Sequence, residues 1–391
     1  MTNLYSPLSS LEQGCWFKLI CGASFQHLPS VRNLTLAYAL AGSDCIDVAA
    51  DPAAIAAAQA ALEVANAWED KAQQKGFGRG GKSSPWLMVS LNDGEDPHFR
   101  KAEFNQAECP AGCPRPCEKI CPAQAISFND SSSGVMADLC YGCGRCLPIC
   151  PNQLIYTRSY VSTPQAIAPL VLSNGVDAVE IHTQVGRLTA FERLWKSIVP
   201  WADQLKIVAI SCPDGDGLTN YLWSLYELIS PLKCPLIWQT DGRPMSGDIG
   251  DGTTRAAIKL GQKVLAARLP GHVQLAGGTN SHTVEKLRAL KLLKEDTEKT
   301  SPPHPLTPSP PPLISGVAYG SYARVLLAPI LTAIETEVNQ SGAIATMRLE
   351  ERPDLLWQAV ELAHSLVSQI KFSQDSSLAL LTSRSLKKTL I

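Results

Sequence analysis

Cys140-Tyr-Gly-Cys143-Gly-Arg-Cys146-Leu-Pro-Ile-Cys150-Pro151 is the stretch on which the reading of this 391-residue chain turns. Its spacing, C-x2-C-x2-C-x3-C-P, is the bacterial ferredoxin run. Three thiolates of one tight loop reach different irons of one cubane, and the fourth, ahead of proline, serves a second cluster. The loop must wrap closely, and Gly142 and Gly144 permit this by relieving crowding and allowing positive φ. Zinc ribbons join two C-x2-C pairs across a longer spacer, which three close cysteines ending in Cys-Pro fit poorly.

Upstream lies a looser copy, Cys109-x3-Cys113-x3-Cys117-x3-Cys121-Pro122, with one extra residue in each of its first two gaps. Spacings of four would suit one helix face, but Pro110, Pro114 and Pro116 remove donors, so a loop is expected. The expected pairing is crossed. Cys109, Cys113 and Cys117 join Cys150 at one iron–sulfur cluster, and Cys140, Cys143 and Cys146 join Cys121 at the other. Both read as [4Fe-4S], and the altered spacing leaves open a [3Fe-4S] cluster at the first site. Between the halves, Ala125–Asn129 and Gly134–Ala137 suggest a short hairpin, and Leu154–Thr157 a strand that completes an internal repeat.

Eight of the 13 cysteines fall within these 42 residues. With no secretory signal pattern at the N-terminus, thiols are expected to be reduced or metal-bound, not in disulfides. Cys15, Cys21, Cys45, Cys212 and Cys234 are scattered and read as small core residues.

Outside the cysteine module, short apolar strands alternate with helices, which argues for α/β. Strands are expected at 17–22, 45–49, 86–91, 178–182, 206–211, 235–240, 273–276 and 313–318, each followed by a helix. Asp51-Pro52 caps and starts the second of these helices. Eight βα units point to a (β/α)8 barrel, with a doubly wound open sheet as the alternative. The ferredoxin-like module follows the third strand, in a loop on the C-terminal face. The expected division is 11–96 and 159–350 for the barrel, 97–158 for the module and 351–391 for a C-terminal helix and tail. The Gly-rich stretch 75–85 and the Pro-rich insert 298–312 read as mobile linkers. The first of these is not a phosphate loop, because it lacks GxxxxGK[ST] and precedes a strand.

Two glycine-rich strand ends invite a ligand. Gly277 and Gly278 follow the seventh strand, and Gly316 and Gly320 lie in and after the eighth. Barrels often build phosphate sites there from backbone amides, so a flavin such as FMN or a phosphorylated small molecule is a candidate occupant. Glu180, His182, Asp241, Arg243 and Asn280, all near strand ends, are expected to face the same cleft. No catalytic triad or carboxylate pair emerges from spacing. Segment 353–371 reads as an amphipathic helix, with Leu355, Leu356, Val360, Leu366 and Ile370 on its apolar face, that packs on the barrel.

Composition sets outer bounds. Forty-five percent hydrophobic and 18% charged residues describe a globular protein, and a net charge of −2 without a basic run argues against nucleic-acid binding. No apolar run is long enough for a membrane span, and a cytoplasmic location is expected.

Leu11–Gln26, Ser43–Asp51, Gly175–His182 and the double cysteine motif together resemble the cyanobacterial light-dependent period (LdpA) family over roughly residues 11–350. The resemblance implies iron–sulfur centres and adjustment of circadian period to light through cellular redox state. It also implies protein partners among circadian clock components and redox carriers, and makes the eight motif cysteines the sensing residues. Against this redox-sensor reading stand an iron–sulfur oxidoreductase with its substrate in the barrel, and a plain electron carrier.

Overall fold

The computed structural model describes residues 7–78, 84–94, 97–128, 133–159, 164–243, 250, 252–294, 312–341 and 348–371. The strands, in chain order, are β1 (Trp16–Ile20), β2 (Cys45–Ala49), β3 (Trp86–Asn92), β4 (Arg100–Glu103), β5 (Ile126–Phe128), β6 (Ser133–Val135), β7 (Tyr156–Ser159), β8 (Ala178–His182), β9 (Ile207–Pro213), β10 (Leu236–Asp241), β11 (His272–Ala276) and β12 (Ile314–Tyr319). Eight of them close a parallel barrel in the order β1-β12-β11-β10-β9-β8-β3-β2. All eight expected barrel strands are present, and closure rules out the open sheet.

Side chains alternate across each strand, so every second residue enters the barrel. One set, including Phe17, Leu19, Ile46, Val48, Val89, Val179 and Ile210, packs outward under the helices. The other set fills the interior in layers. Trp16, Cys45, Met88, Ala178, Ile207, Ala209 and Ile237 form an apolar floor with Leu11. Gly316 belongs to this floor. A Cβ there would lie 2.6 Å from the Trp16 carbonyl oxygen and 2.7 Å from its side chain. It makes room for an indole and is not part of a phosphate loop, which corrects the expectation for this residue. Gly316→Ala should therefore overpack the floor and cost about 1–3 kcal/mol, measured as a lower urea midpoint at unchanged m-value.

Asp51 caps helix Pro52–Gln74, accepting from the N–H groups of Ala53 at 2.8 Å and Ala54 at 3.1 Å. Helix Pro353–Lys371 buries Leu356, Val360, Leu366 and Ile370, while Leu355 is partly buried against the same core. Its last residue, Lys371, reaches Asp44 at 2.5 Å and Ser10 at 2.8 Å, which ties the helix to the base of β1 and β2. Cys15, Cys21, Cys45 and Cys212 are buried as expected of core residues, and Cys234 is half-buried. Residues 79–83 of the first expected linker, 298–311 of the second and the tail beyond 371 lie outside the described residues.

The module spans the connection from β3 to helix Pro164–Leu172. β4 pairs with β7 and β5 with β6, both antiparallel. Each half is thus a strand, a cysteine loop, a one-turn helix ending at Cys-Pro, and a second strand. The repeat extends to the backbone. Gln124 and Gln153, each three residues after the last cysteine of its motif, adopt φ of 49° and 51° and donate their N–H to Cys121 and Cys150. The expected loop in the first motif is corrected at its end, where Pro116–Ile120 is helical. Pro116 stands at the first helical position, where no donor is needed. The strand expected from Leu154 starts at Tyr156.

Candidate metal centres and the barrel mouth

The thiols gather in two groups. Cys121, Cys140, Cys143 and Cys146 surround one small, mostly apolar space of about 20 Å³, floored by Ala102, Ala125 and Ile126. Gly142 and Gly144, at φ of 70° and 72°, turn the loop around it. The Ala125 N–H donates to Cys121 Sγ at 3.2 Å and the Ala102 N–H to Cys140 Sγ at 3.4 Å. Burial, together with the like charges of Cys143, Cys140 and Cys121, pushes the Cys146 thiol up to about 12.

The second group is more open. Cys117 is buried, whereas Cys109, Cys113 and Cys150 are half-buried. Burial and the charges of Cys113 and Cys150 raise Cys109; burial and the charges of Cys150 and Cys109 raise Cys117. Burial also opposes ionisation of Cys150, but the N–H groups of Leu154, Asn152, Ile155 and Gln153 outweigh it and hold that thiol below its ordinary value.

In each group four thiols converge, with backbone N–H groups aimed at sulfur. Where burial and neighbouring thiols hold a member protonated, as at Cys109, Cys117, Cys121, Cys143 and Cys146, a bound cationic centre favours the thiolate. The residues fit an iron–sulfur group.

The module closes one side of the barrel mouth. Tyr141, between two cysteines of the second motif, is buried and helps to wall a cavity of about 60 Å³. The Arg324 guanidinium lies 4.2 Å from the Tyr141 ring centre, and Phe25 meets the ring edge-on at 6.1 Å. Arg324 Nη1 donates to the carbonyls of Ile20 and Cys21 at the end of β1, at 2.9 and 3.0 Å, and Nη2 to Ser321 at 3.0 Å. Lys101 on β4 donates to Gln26 at 2.8 Å and to the Ala137 carbonyl, fastening the module to the loop after β1.

Of the residues expected at the cleft, Glu180, His182, Asp241, Arg243, Gly277, Gly278 and Gly320 line this cavity. Asn280 does not. Its amide is spent on Thr254, Gly250 and the His282 N–H around the start of helix Thr283–Ala289. Gly277 (φ 60°) is required by packing, since a Cβ would stand 2.9 Å from the Arg243 backbone. About 60 Å³ of open space suits a few waters or a small ion.

Below the mouth runs a buried polar layer that sequence reading missed apart from Glu180. Trp16 Nε1 donates to Gln274 at 2.6 Å, Gln274 to Gln239 at 2.6 Å, and Gln239 to Glu180 at 2.6 Å. Lys18 forms a fully buried ion pair with Glu180, and the Ser90 hydroxyl faces Asp47 at 2.9 Å. Burial alone would raise Glu180, but Lys18 and His182 overcome it and hold the carboxyl down at about 2. For Asp47 burial wins, with help from Glu180 and against Lys18, and its carboxyl rises to about 7. A signal existed. Lys18 and Asp47 sit mid-strand in apolar runs, at the inward phase of the alternation.

Comparison with known proteins agrees with this architecture. Residues 109–161 match the family described as LdpA Fe-S cluster-binding domain, and residues 170–369 the Light dependent period A C-terminal domain. The chain is 48% identical over 365 residues to Light dependent period A of Synechococcus elongatus, covering 93% of this chain and 94% of that one. Among solved structures, (S)-3-O-geranylgeranylglyceryl phosphate synthase of Thermoplasma acidophilum aligns over 95% of this chain and 99% of its own, at 12% identity and a TM-score of 0.37. N-acetylneuraminate lyase of Fusobacterium nucleatum aligns over 95% and 87%, at 9% identity and a TM-score of 0.32. Similarity at that level carries no functional argument. From the cysteine module, the barrel and the full-length relative, the chain belongs to the light-dependent period A family of iron–sulfur proteins.

Proposed function

We propose that this protein is a redox sensor, holding two iron–sulfur clusters and adjusting circadian period to light through the redox state of the cell. Cys121, Cys140, Cys143 and Cys146 would hold one cluster as [4Fe-4S]. Cys109, Cys113, Cys117 and Cys150 would hold the other, as [4Fe-4S] or, with one iron lost at the looser motif, [3Fe-4S]. Such groups supply one-electron chemistry over a wide range of potentials. The partners would be circadian clock components and redox carriers, in the cytoplasm. No described helix is long and apolar enough to cross a membrane.

The observation that carries the reading is Tyr141, which belongs at once to a cysteine loop and to the wall of the barrel mouth. Arg324, whose guanidinium covers Tyr141, also feels the charge of Cys143. A change of charge at the thiolates therefore alters how strongly Arg324 is held, and Arg324 grips the end of β1. This coupling is electrostatic and short-range, and it gives the barrel a means of registering the module's state.

Anaerobic protein should show about eight irons per chain with matching sulfide and reduced-cluster paramagnetic signals, and no flavin. Amide exchange, compared between oxidised and reduced samples, should differ in the segments around Cys21 and Arg324. Little iron and sulfide after attempted reconstitution, with zinc bound instead, would overturn the cluster assignment. Intact clusters with identical exchange in the two states would leave an electron carrier, not a sensor. Bound FMN would favour the oxidoreductase.

A further inference from the structure

The end of β8, the end of β10 and the turn after β3 bring three metal-binding side chains together at the barrel mouth. His182 ends β8, Asp241 ends β10, and His98 stands on the short helical turn Pro97–Phe99. One ligand atom from each lies within 4.8 Å of the others. All three side chains line the same cavity of about 60 Å³. His182 and Asp241 are buried, and the His98 and His182 rings are 5.3 Å apart. We propose that His98, His182 and Asp241 form a mononuclear site for a divalent transition-metal ion, separate from the cysteine module.

Two features beyond proximity support the site. Glu180 faces His182 Nε2 at 2.9 Å. With that proton directed to the carboxylate, the neutral ring keeps its lone pair on Nδ1, the nitrogen then able to bind an ion. A carboxylate behind the imidazole is the usual outer support of a metal-bound histidine, fixing its orientation and raising its basicity. The Ser211 hydroxyl donates to Asp241 Oδ2 at 2.5 Å, which orients that carboxylate and leaves Oδ1 for an ion.

The ligand types select the ion. Two imidazoles and one carboxylate suit iron(II) or zinc better than magnesium or calcium, which prefer all-oxygen shells. Three protein ligands also leave positions open towards the cavity, where water or a small ligand completes the shell. Of the cations around the site, Lys18 in the polar layer is already paired with Glu180, and of the two guanidinium groups that line the cavity, those of Arg243 and Arg324, the latter is held on the carbonyls of Ile20 and Cys21. Strand ends on this face are where barrels of this kind assemble their functional groups.

Cobalt(II) is a suitable probe, because nitrogen and oxygen ligands give weak visible d–d bands, whereas thiolates add an intense charge-transfer band. Cluster-loaded, full-length protein titrated anaerobically with cobalt(II) should bind one equivalent without the charge-transfer band. His98→Ala, on a half-exposed turn outside the core, should weaken binding at least about tenfold with iron and sulfide content unchanged. Asp241→Asn, nearly isosteric, provides the second test and should weaken it similarly. Absence of binding, binding dominated by thiolate bands, or affinities equal to the parent in both variants would overturn the site.

Discussion

Replacing Cys121 with alanine should abolish the same paramagnetic signal as replacing Cys143, although Cys121 lies in the other sequence motif. Replacing Cys150 should abolish the signal lost with Cys113. This crossed outcome follows from the two thiol groups, in which the Cys-Pro cysteine of each motif stands among the first three cysteines of the other. The effect is large because an exchangeable fourth ligand is all that separates a cubane from a form one iron short. Each variant should lose a quarter of one cluster's iron or the whole cluster, while the other signal persists. Iron and sulfide analysis with low-temperature paramagnetic resonance reads the pattern. If Cys121→Ala and Cys113→Ala silenced one signal together, with Cys150→Ala sparing it, the ligands would be grouped by motif and the crossed assignment would be wrong.

The second large effect concerns the barrel interior. Lys18→Met leaves Glu180, fully buried, without its counter-charge. Breaking one partner of such a pair costs about 3–5 kcal/mol. The double change Lys18→Met with Glu180→Gln should recover most of that loss, since a neutral amide can still meet Gln239 and His182. Urea unfolding of the four-protein cycle measures the coupling. Near-additive losses would show that the pair contributes no net stability of its own.

The same layer sets a pH dependence. The Asp47 carboxyl is raised by burial from its ordinary 3.8 to about 7. Between those values the unfolded chain releases a proton that the folded chain retains, so stability falls as pH rises through the interval and levels off above it. Glu180, held down near 2, acts oppositely, losing stability only as pH drops below about 4.5. Asp47→Asn should therefore flatten the decline between pH 4.5 and 7 relative to the parent, measured on protein with equal cluster content.

How much was legible in the sequence depended on whether the information was local. Cysteines that serve one cluster from one loop must follow a close spacing, so the second motif could be read directly. Asp51 before Pro52 announced a helix start for the same reason, because a cap acts within three residues. The eight strands emerged from apolar runs with a fixed phase, and their number implied closure. The first motif misled only where Pro116 starts a turn of helix instead of preventing one.

What lay beyond reach was every feature made by closing the ring. Gly316 looked like a ligand loop because its function, receiving Trp16 from the neighbouring strand, depends on register across the β12–β1 seam. Asn280 looked like a cleft residue, but a helix start claimed its hydrogen bonds first. Lys18, Asp47, Gln239 and Gln274 carried only an unusual polarity in apolar strands, with no hint of which partner each would meet. Tyr141 was a filler position between cysteines until the module folded down against Arg324. The sequence by itself determined the two cysteine motifs, the strand count and the place of the module in the chain, because spacing and periodicity act over a few residues. Only the tertiary structure decided which strand ends converge on His98, His182 and Asp241, because that convergence is set by barrel closure and strand register, which no local pattern encodes.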